Sequence, residues 1–290
     1  MPIDVSAAVI SNVRLSDDYN VLSLAAPEIG EQTRPGQFVM VKAGPMIDSI
    51  LRRPFSVFEV LRDAGRVTGL SLLNKRAGQN TRALYAVEPA VHVSCLGPLG
   101  RPFTTISEPQ GDGGPASRSL SDGLASRSFR EGWMVAGGVG LAPFATLAES
   151  LAAAGTRTTL FYGARSAREL FYLEFFERLG VRLVLATEDG SRGFHGRVTL
   201  PLEQELAALP HPGAALVYAC GPEPMLQAVA TLAARYRQPS EVSVERTMGC
   251  GLGGCYSCVI PVRHDGDSRY VRSCIGGPVF SGADIVWDRC

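Results

Sequence analysis

The amino-acid sequence predicts a multidomain protein, in which an all-β domain is followed by an α/β domain and a small cysteine-containing domain. Three observations predict this arrangement. Short β-branched runs separated by Gly and Pro fill residues 1–103, strand and helix patterns alternate over 132–240, and closely spaced cysteines occur in 241–290. Residues 104–131 are rich in Ser, Gly, Asp and Arg without apolar periodicity, which predicts a linker or an insertion.

The all-β prediction for the first domain rests on apolar strand patterns. They occur at 5–13, 21–25, 37–41, 55–61, 67–73 and 91–96, with one short helix pattern at 81–87. Strands at this spacing are typical of a small barrel or a sandwich.

The α/β prediction for the second domain rests on strands that alternate with helices. Apolar residues recur at helical spacing over 141–155, and that pattern ends at Gly155, as helices commonly do. ELFYLEFFERLG at 169–180 predicts another helix with an aromatic core face, and PMLQAVATLAARY at 224–236 predicts a helix after the strand ALVYAC. This alternation predicts a parallel sheet covered by helices on both faces.

The charge balance limits the classes of partner. The chain has 28 Lys plus Arg against 28 Asp plus Glu and no long basic block, which argues against a nucleic-acid partner and mildly favours a protein partner. The N-terminal stretch has no basic region ahead of an apolar one, so no secretory signal is expected. The longest uncharged run, 132–148, is too short to span a bilayer, and we expect a cytoplasmic protein without a membrane segment.

The most specific motif is C-x4-C-x2-C-x15-C, formed by Cys250, Cys255, Cys258 and Cys274. This spacing matches the plant-type pattern of a 2Fe–2S cluster, with three ligands on one loop and a fourth further along. Glycines between the first cysteines allow positive φ and let backbone N–H groups point at the cluster. The alternatives are a structural zinc, whose ligands usually form two short-spaced pairs, and a disulfide pairing, which the pattern favours less.

A second motif is AGGVGLAP, which follows a strand and opens a helix. Gly137, Gly138 and Gly140 allow close backbone approach to a pyrophosphate at the helix N-terminus. The motif departs from G-x-G-x-x-G, and no acidic residue closes the next strand. A plain tight turn between strand and helix is therefore equally consistent with it.

Two further motifs are weaker. RRPFS at 52–56 places two guanidinium groups, a proline, an aromatic ring and a hydroxyl on one strand, which suits a phosphate and a flat ring. Taken alone, however, the motif is better explained as an ordinary edge strand with surface charges. YACGPEPM places Cys220 at the carboxyl end of a strand, where open α/β sheets bind ligands. The alternative for Cys220 is a buried cysteine before a turn.

Taken in order, the motifs resemble the ferredoxin reductase superfamily and, within it, the electron-transfer subunits of two-subunit, NAD-linked dihydroorotate dehydrogenases. The motifs that carry the resemblance are RRPFS, GPLG at 97–100, AGGVGLAP, YGAR at 162–165, TEDGSRGFHG at 187–196, YACGPEPM, the cysteine motif and GGPVF at 276–280. The resemblance implies an N-terminal flavin-binding β-barrel, a central parallel-sheet α/β nucleotide-binding domain and a small C-terminal 2Fe–2S domain.

The resemblance also implies site residues. FAD would be held by Arg53, Pro54, Phe55, Ser56, Leu73, Asn74, Lys75, Asn80 and Thr81. NAD(H) would be bound, as a substrate, by Gly137, Gly138, Gly140, Cys220, Gly221 and Pro222, with Cys220 near the nicotinamide. The cluster would be ligated by Cys250, Cys255, Cys258 and Cys274, and the cofactors leave no further catalytic residue to assign. Asn80 stands where this family usually has Gly, and Phe55 stands where broader ferredoxin reductases often have Tyr.

The function implied by the resemblance is electron transfer between an FMN-containing catalytic subunit, which oxidises dihydroorotate in pyrimidine biosynthesis, and NAD. Hydrides would be exchanged at FAD and single electrons at the 2Fe–2S cluster, in a heterotetramer with two copies of each subunit. One alternative is a related subunit of a sulfhydrogenase or a ferredoxin:NADP transhydrogenase. Some relatives of the latter type use an aspartate ligand, so four cysteines favour the dihydroorotate system. A zinc-containing scaffold without enzymatic activity is the remaining alternative.

Overall fold

A computed structural model describes residues 1–43, 51–105, 129–264 and 266–289. Most of the predicted linker 104–131 lies outside the described residues. The chain forms two compact units, each assembled from several stretches: unit 1 is Met1–Pro102, Arg246–Ile260 and Tyr270–Pro278, and unit 2 is Phe103–Glu245, Pro261–Arg269 and Val279–Cys290. Residues 241–290 contribute to both units, and the predicted domain boundaries stay a prediction.

Unit 1 is built on an antiparallel sheet, which has seven strands in the described residues. The strands are β1 (Ile3–Arg14), β2 (Tyr19–Ala25), β3 (Phe38–Ala43), β4 (Arg53–Ser56), β5 (Glu59–Asp63), β6 (Arg66–Lys75) and β7 (His92–Leu99). Their order is β4-β3-β7-β1-β2-β6-β5. The pattern at 55–61, predicted as one strand, forms parts of β4 and β5. Between them, Val57 N–H donates to the Gln37 carbonyl at 3.1 Å and Phe58 N–H donates to the Ser71 carbonyl at 2.9 Å. The two edge strands are thus joined by two residues, and the sheet curls until its edges meet.

Strand β3 separates two apolar clusters of unit 1, because successive side chains point to opposite faces. Val39 and Val41 belong to the main core inside the curled sheet. Phe38 and Met40 belong to a second cluster, which also contains Leu96, Leu99, Met248, Cys258 and Cys274. Two helices, α1 (Pro27–Gln32) and α2 (Gln79–Ala86), complete this part of the unit.

Unit 2 contains a mostly parallel sheet, as predicted, with seven strands in the described residues. The strands are β8 (Glu131–Gly137), β9 (Arg157–Ala164), β10 (Arg182–Thr187), β11 (Phe194–His195), β12 (Ala215–Cys220), β13 (Ser240–Ser243) and β16 (Val279–Ser281). Their order is β11-β10-β9-β8-β12-β13-β16, and only β16 runs antiparallel to its neighbour. Strands β9, β10 and β11 lie on one side of β8, and the later strands β12, β13 and β16 lie on the other side. The carboxyl ends of β8 and β12 therefore form the switch point where such sheets bind ligands.

The helices of unit 2 are α3 (Phe144–Ala153), α4 (Leu173–Arg178), α5 (Thr199–Ala207) and α6 (Glu223–Arg235). Helix α3 lies within the pattern at 141–155, whereas the helix predicted over 169–180 is wrong in length. Tyr172 has a φ of 59°, outside the helical region, so α4 begins only at Leu173. Helix α5 was not predicted.

The C-terminal segment contains a two-stranded sheet of β14 (Val259–His264) and β15 (Asp267–Arg272), followed by α7 (Ser273–Gly276). Only the first of these strands was predicted. Within the described ranges, every helix is too short or too polar to span a lipid bilayer.

Candidate functional site

The four motif cysteines all lie in unit 1. Cys258 and Cys274 are each 1% exposed and pack in the second apolar cluster with Met40. The Ser273 N–H donates to the Cys258 carbonyl at 2.9 Å and ties α7 to the loop. Cys255, in contrast, is exposed. The loop therefore has one end anchored in the protein and one end at the surface.

The cysteines are arranged as two pairs. Cys250 lies close enough to Cys255 to shift its pKa, and Cys258 lies close enough to Cys274 to do the same. In the part of the chain that the structure describes, no three His, Cys, Asp or Glu side chains converge closely enough to hold one metal ion. A 2Fe–2S cluster takes four protein thiolates, two on each iron, so two neighbouring pairs of cysteines suit such a cluster.

Backbone amides point at the sulfurs. Leu252 N–H and Gly254 N–H each donate to Cys250 Sγ at 3.3 Å. Gly251 and Gly253 have φ values of 73° and 81°, as the glycine pattern predicts. An alanine Cβ at Gly251 would also lie 2.6 Å from Met40 Cγ, so the loop needs glycine there for two reasons.

The thiols differ in acidity because their surroundings differ. Hydrogen bonds from Ser257, and then from Cys250, lower the pKa of Cys255 to about 6. Burial, followed by the neighbouring Cys258, raises the pKa of Cys274. Cys274 therefore ionises readily only when a bound metal compensates the charge, as in iron ligation.

The RRPFS motif forms β4, which pairs antiparallel with β3. Its two arginines have different surroundings. Arg52 is tied to Asp4 at 2.7 Å and to Ser94, whereas Arg53 is exposed and donates to the backbone carbonyls of Leu51 and Arg52. Arg53 therefore keeps its charge available for an anionic group such as a phosphate. Phe55 is 9% exposed and belongs to the main core.

Three asparagines form a buried network beside α2. Asn74 Nδ2 donates to Asn20 Oδ1 at 2.7 Å and to the Thr81 carbonyl at 3.0 Å, and Asn20 Nδ2 donates to Asn12 Oδ1. Asn74 Oδ1 is buried, and no hydrogen-bond donor for it occurs among the described residues. A buried acceptor without a donor suits a bound ligand that supplies one. The sequence singled out Asn74 but not Asn20, which β2 places beside it through strand register.

Asn80 and Thr81 use their side chains within the protein. The Asn80 amide donates to the Val41 carbonyl and accepts from Ala43 N–H, both at 3.2 Å, which ties α2 to β3. Thr81 Oγ1 accepts from Gly78 N–H at 2.8 Å and caps α2. These hydrogen bonds give both side chains a structural role within unit 1.

In unit 2, the glycine motif meets the turn that follows β12. An alanine Cβ at Gly140 would lie 2.1 Å from the Cys220 carbonyl oxygen, and one at Gly137 would lie 2.8 Å from Met225 Sδ. At Gly138, with a φ of 56°, nothing lies within 4 Å. Two of the three glycines thus allow close packing within the protein, and the third faces open space.

Cys220 ends β12 at the switch point and is buried. Burial, and then the nearby Glu245 carboxylate, raise the pKa of Cys220 well above its ordinary value, and Ser243 hydrogen-bonds with its side chain. Cys220 is therefore a neutral thiol at neutral pH and suits packing rather than nucleophilic attack. Glu245, whose own pKa burial raises, was not singled out from the sequence.

Two family models match parts of the chain. Residues 245–286 match the iron-sulfur cluster binding domain of dihydroorotate dehydrogenase B, and residues 134–231 match an oxidoreductase NAD-binding domain. The chain is 33% identical to the dihydroorotate dehydrogenase B (NAD(+)) electron transfer subunit of Desulforamulus reducens, over 97% of this chain and 98% of that protein.

Solved structures share the fold. An NADH-dependent reduced ferredoxin-NADP oxidoreductase superposes with a TM-score of 0.77 at 23% identity, covering 98% of this chain and 91% of the other. A ferredoxin NADP+ reductase from Neisseria gonorrhoeae, solved with bound FAD and NADP, superposes with a TM-score of 0.60 at 16% identity, covering 80% and 91%. The fold is therefore ferredoxin reductase-like, with an added iron-sulfur binding segment.

Proposed function

The chain belongs to the family of dihydroorotate dehydrogenase B electron transfer subunits, and from this membership we propose that it carries electrons between an FMN-containing catalytic subunit and NAD. The catalytic subunit would oxidise dihydroorotate, and this chain would not bind dihydroorotate itself. The observation that carries the proposal is the loop of four cysteines in two pairs, with one pair buried and the other towards the surface. The curated relatives favour this interpretation over a sulfhydrogenase or transhydrogenase subunit and over a zinc scaffold.

Cys250, Cys255, Cys258 and Cys274 would hold a 2Fe–2S cluster as thiolates. The amides of Leu252 and Gly254 support this role, because N–H donors to sulfur stabilise the negative charge of a ligated cluster. When bound, such a cluster passes electrons singly, and FAD exchanges both single electrons and a hydride, so together they connect a one-electron path with NAD(H).

FAD would lie in unit 1, with the curled sheet as the flavin-binding barrel. Arg53 would bind a phosphate, and Asn74 Oδ1 would accept a hydrogen bond from the cofactor. Pro54 pairs with Met40 across β4 and β3, and Ser56 pairs with Phe38, so these four side chains lie on one face of the sheet. Met40 and Phe38 belong to the apolar cluster that contains Cys258 and Cys274. This shared face supports a short path between flavin and cluster.

NAD(H) would bind at the carboxyl ends of β8 and β12. Gly138, which has no atom within 4 Å of an added Cβ, would let the pyrophosphate approach the backbone. Gly137 and Gly140 would allow the turn after Cys220 to pack directly against the glycine motif. Cys220 would line the nicotinamide site as a neutral side chain and leave hydride transfer to the cofactors.

The partner would meet the surface around the cysteines. The segment that contains the four cysteines also exposes four large apolar side chains, those of Leu252, Tyr256, Tyr270 and Ile275. Exposed apolar patches of this kind mark protein interaction sites. The proposal includes an assembly of two copies of each subunit and a cytoplasmic location, where cysteines stay reduced.

The test is anaerobic purification of the full chain together with the catalytic subunit, followed by addition of dihydroorotate and NAD while the absorbance spectrum is recorded. We expect bleaching of flavin and cluster bands and formation of NADH. Cys274→Ser is expected to lose the cluster bands and the coupled reaction, whereas Cys95→Ala, a buried cysteine outside the loop, keeps both. Flavin and cluster that respond to NADH but not to dihydroorotate would show that the partner is wrong.

A further inference from the structure

Arg272 contacts the cysteine loop at two points. It is the last residue of β15 and precedes Cys274 by two positions. Its Nη1 donates to the Gly253 carbonyl at 2.7 Å, and its guanidinium lies over the Tyr256 ring, 4.7 Å from the centroid. Tyr256 has a φ of 58°, a conformation that needs support from its surroundings. Arg272 therefore holds the loop at Gly253, between Cys250 and Cys255, and at Tyr256, between Cys255 and Cys258.

The contact with Gly253 extends to a cysteine sulfur. The Gly253 carbonyl belongs to the peptide unit whose N–H is that of Gly254, and this N–H donates to Cys250 Sγ at 3.3 Å. Because the peptide unit is planar, a donor that fixes the carbonyl also fixes the direction of the N–H. A charged donor on the carbonyl also polarises the unit and strengthens the bond that the N–H makes.

We propose that Arg272 is a positioning residue for the cluster, which orients the Gly253–Gly254 peptide towards Cys250 Sγ and raises the cluster's reduction potential. Reduction adds one negative charge to the cluster. A stronger N–H bond to sulfur and a permanent positive charge on the loop both stabilise the reduced form. The proposal rests on ligation by the four cysteines as set out above.

The test uses the full-length chain with its cluster, as wild type and as Arg272→Met, Arg272→Lys and Arg269→Met. Arg269 is an exposed arginine of the same strand, three residues earlier, so strand alternation directs it to the opposite face. The midpoint potential of the cluster is measured by a redox titration followed by EPR, together with the rate of cluster loss to an iron chelator.

We expect a more negative midpoint potential and altered EPR g values in Arg272→Met, with cluster loss about tenfold faster, as removal of a charged hydrogen bond implies. Arg272→Lys keeps the charge and is expected to fall between Arg272→Met and wild type, while Arg269→Met matches wild type. Complete loss of the cluster from Arg272→Met alone also supports the positioning role.

An Arg272→Met chain that holds its cluster at the wild-type potential, with wild-type g values, overturns the proposal. A shift of the same size in Arg269→Met overturns it as well, because the effect would then come from net charge. A wild-type chain without any cluster is a different result, since it would overturn the ligand assignment on which the proposal rests.

Discussion

At the scale of single residues, Gly140 is explained by packing rather than by backbone conformation. An alanine there would place Cβ 2.1 Å from the Cys220 carbonyl oxygen and 2.4 Å from its carbonyl carbon. Both are backbone atoms, so no side-chain rotation relieves the clash. From sequence, the motif was equally consistent with a ligand-binding turn and with a plain tight turn between strand and helix. Close contact between two segments of the protein is a further reason for Gly140.

We expect Gly140→Ala to lower the free energy of unfolding by at least about 1–3 kcal/mol, the usual cost of overpacking, and to weaken NADH binding. Urea unfolding and NADH titration of the purified chain measure the two effects. Gly78→Ala is the control for stability, because nothing lies within 4 Å of the added Cβ and no positive φ is involved. Equal stability of the two variants would contradict the packing explanation.

Glu241 is a buried carboxylate whose protonation depends on the fold. It is 4% exposed and accepts hydrogen bonds from Thr104 N–H at 2.8 Å and from Thr104 Oγ1 at 2.5 Å. Burial raises its pKa above the ordinary value of 4.5, although the bonds from Thr104 act in the other direction. A carboxyl whose pKa is raised by folding contributes stability below its unfolded pKa, and that contribution is lost as pH rises through the folded pKa.

Glu241→Gln removes this ionisation and keeps hydrogen bonding to Thr104. We therefore expect the variant to gain stability relative to wild type as pH rises from about 5 to about 8. Urea unfolding of both proteins across this range measures the difference in the free energy of unfolding. A difference that does not change with pH would refute the expectation.

At the scale of elements, β3 is the strand that connects the main core with the cysteine loop. Val39 points into the main core, and Met40 points into the cluster of apolar residues around Cys258 and Cys274. The two side chains are adjacent in sequence and fully buried. Replacing each one alone with alanine therefore distinguishes the contribution of the main core from that of the cluster around the cysteines.

Met40→Ala leaves a cavity beneath the cysteine loop, and we expect a loss of about 2–5 kcal/mol in unfolding free energy with faster cluster release to a chelator. Val39→Ala is expected to lower stability while leaving the rate of cluster release near that of wild type. Chelator kinetics and urea unfolding distinguish the variants. Equal acceleration of cluster release in both would mean that β3 supports the loop only through overall stability.

Periodicity predicted most elements of both sheets, because their strands are apolar and their helices amphipathic. Periodicity failed at two helices. The positive φ of Tyr172 makes α4 shorter than predicted. Helix α5 was not predicted, and it contains Pro201. The cysteine spacing predicted an iron-sulfur segment, and residues 245–286 match the iron-sulfur cluster binding domain of dihydroorotate dehydrogenase B. Arg272 carries no such signal, since its contacts with Gly253 and Tyr256 depend on how β15 returns to the loop.

At the scale of the whole molecule, the balanced net charge only favours some protein partner, whereas the exposed apolar side chains indicate where on the chain that partner would bind. Tyr270 is 65% exposed and lies four residues before Cys274. Large aromatic side chains are frequent anchors in protein interfaces.

We expect Tyr270→Glu to weaken association with the catalytic subunit by at least about tenfold in Kd, because a charge would be buried at the interface. Spectra of the flavin and cluster are expected to stay unchanged. Val13→Glu, at an exposed apolar position on β1, is the matched control. Analytical ultracentrifugation of the mixed subunits measures association, and equal binding of the Tyr270→Glu chain would place the interface elsewhere.

The chain passes repeatedly between its two compact units, at residues 102–103, 245–246, 260–261, 269–270 and 278–279. The last strand of the parallel sheet, β16, comes after the cysteine segment in sequence. A gene cut before codon 246 would therefore remove an edge strand from one unit as well as the four motif cysteines from the other. The iron-sulfur segment is thus not a detachable module, because its residues fold as part of both units.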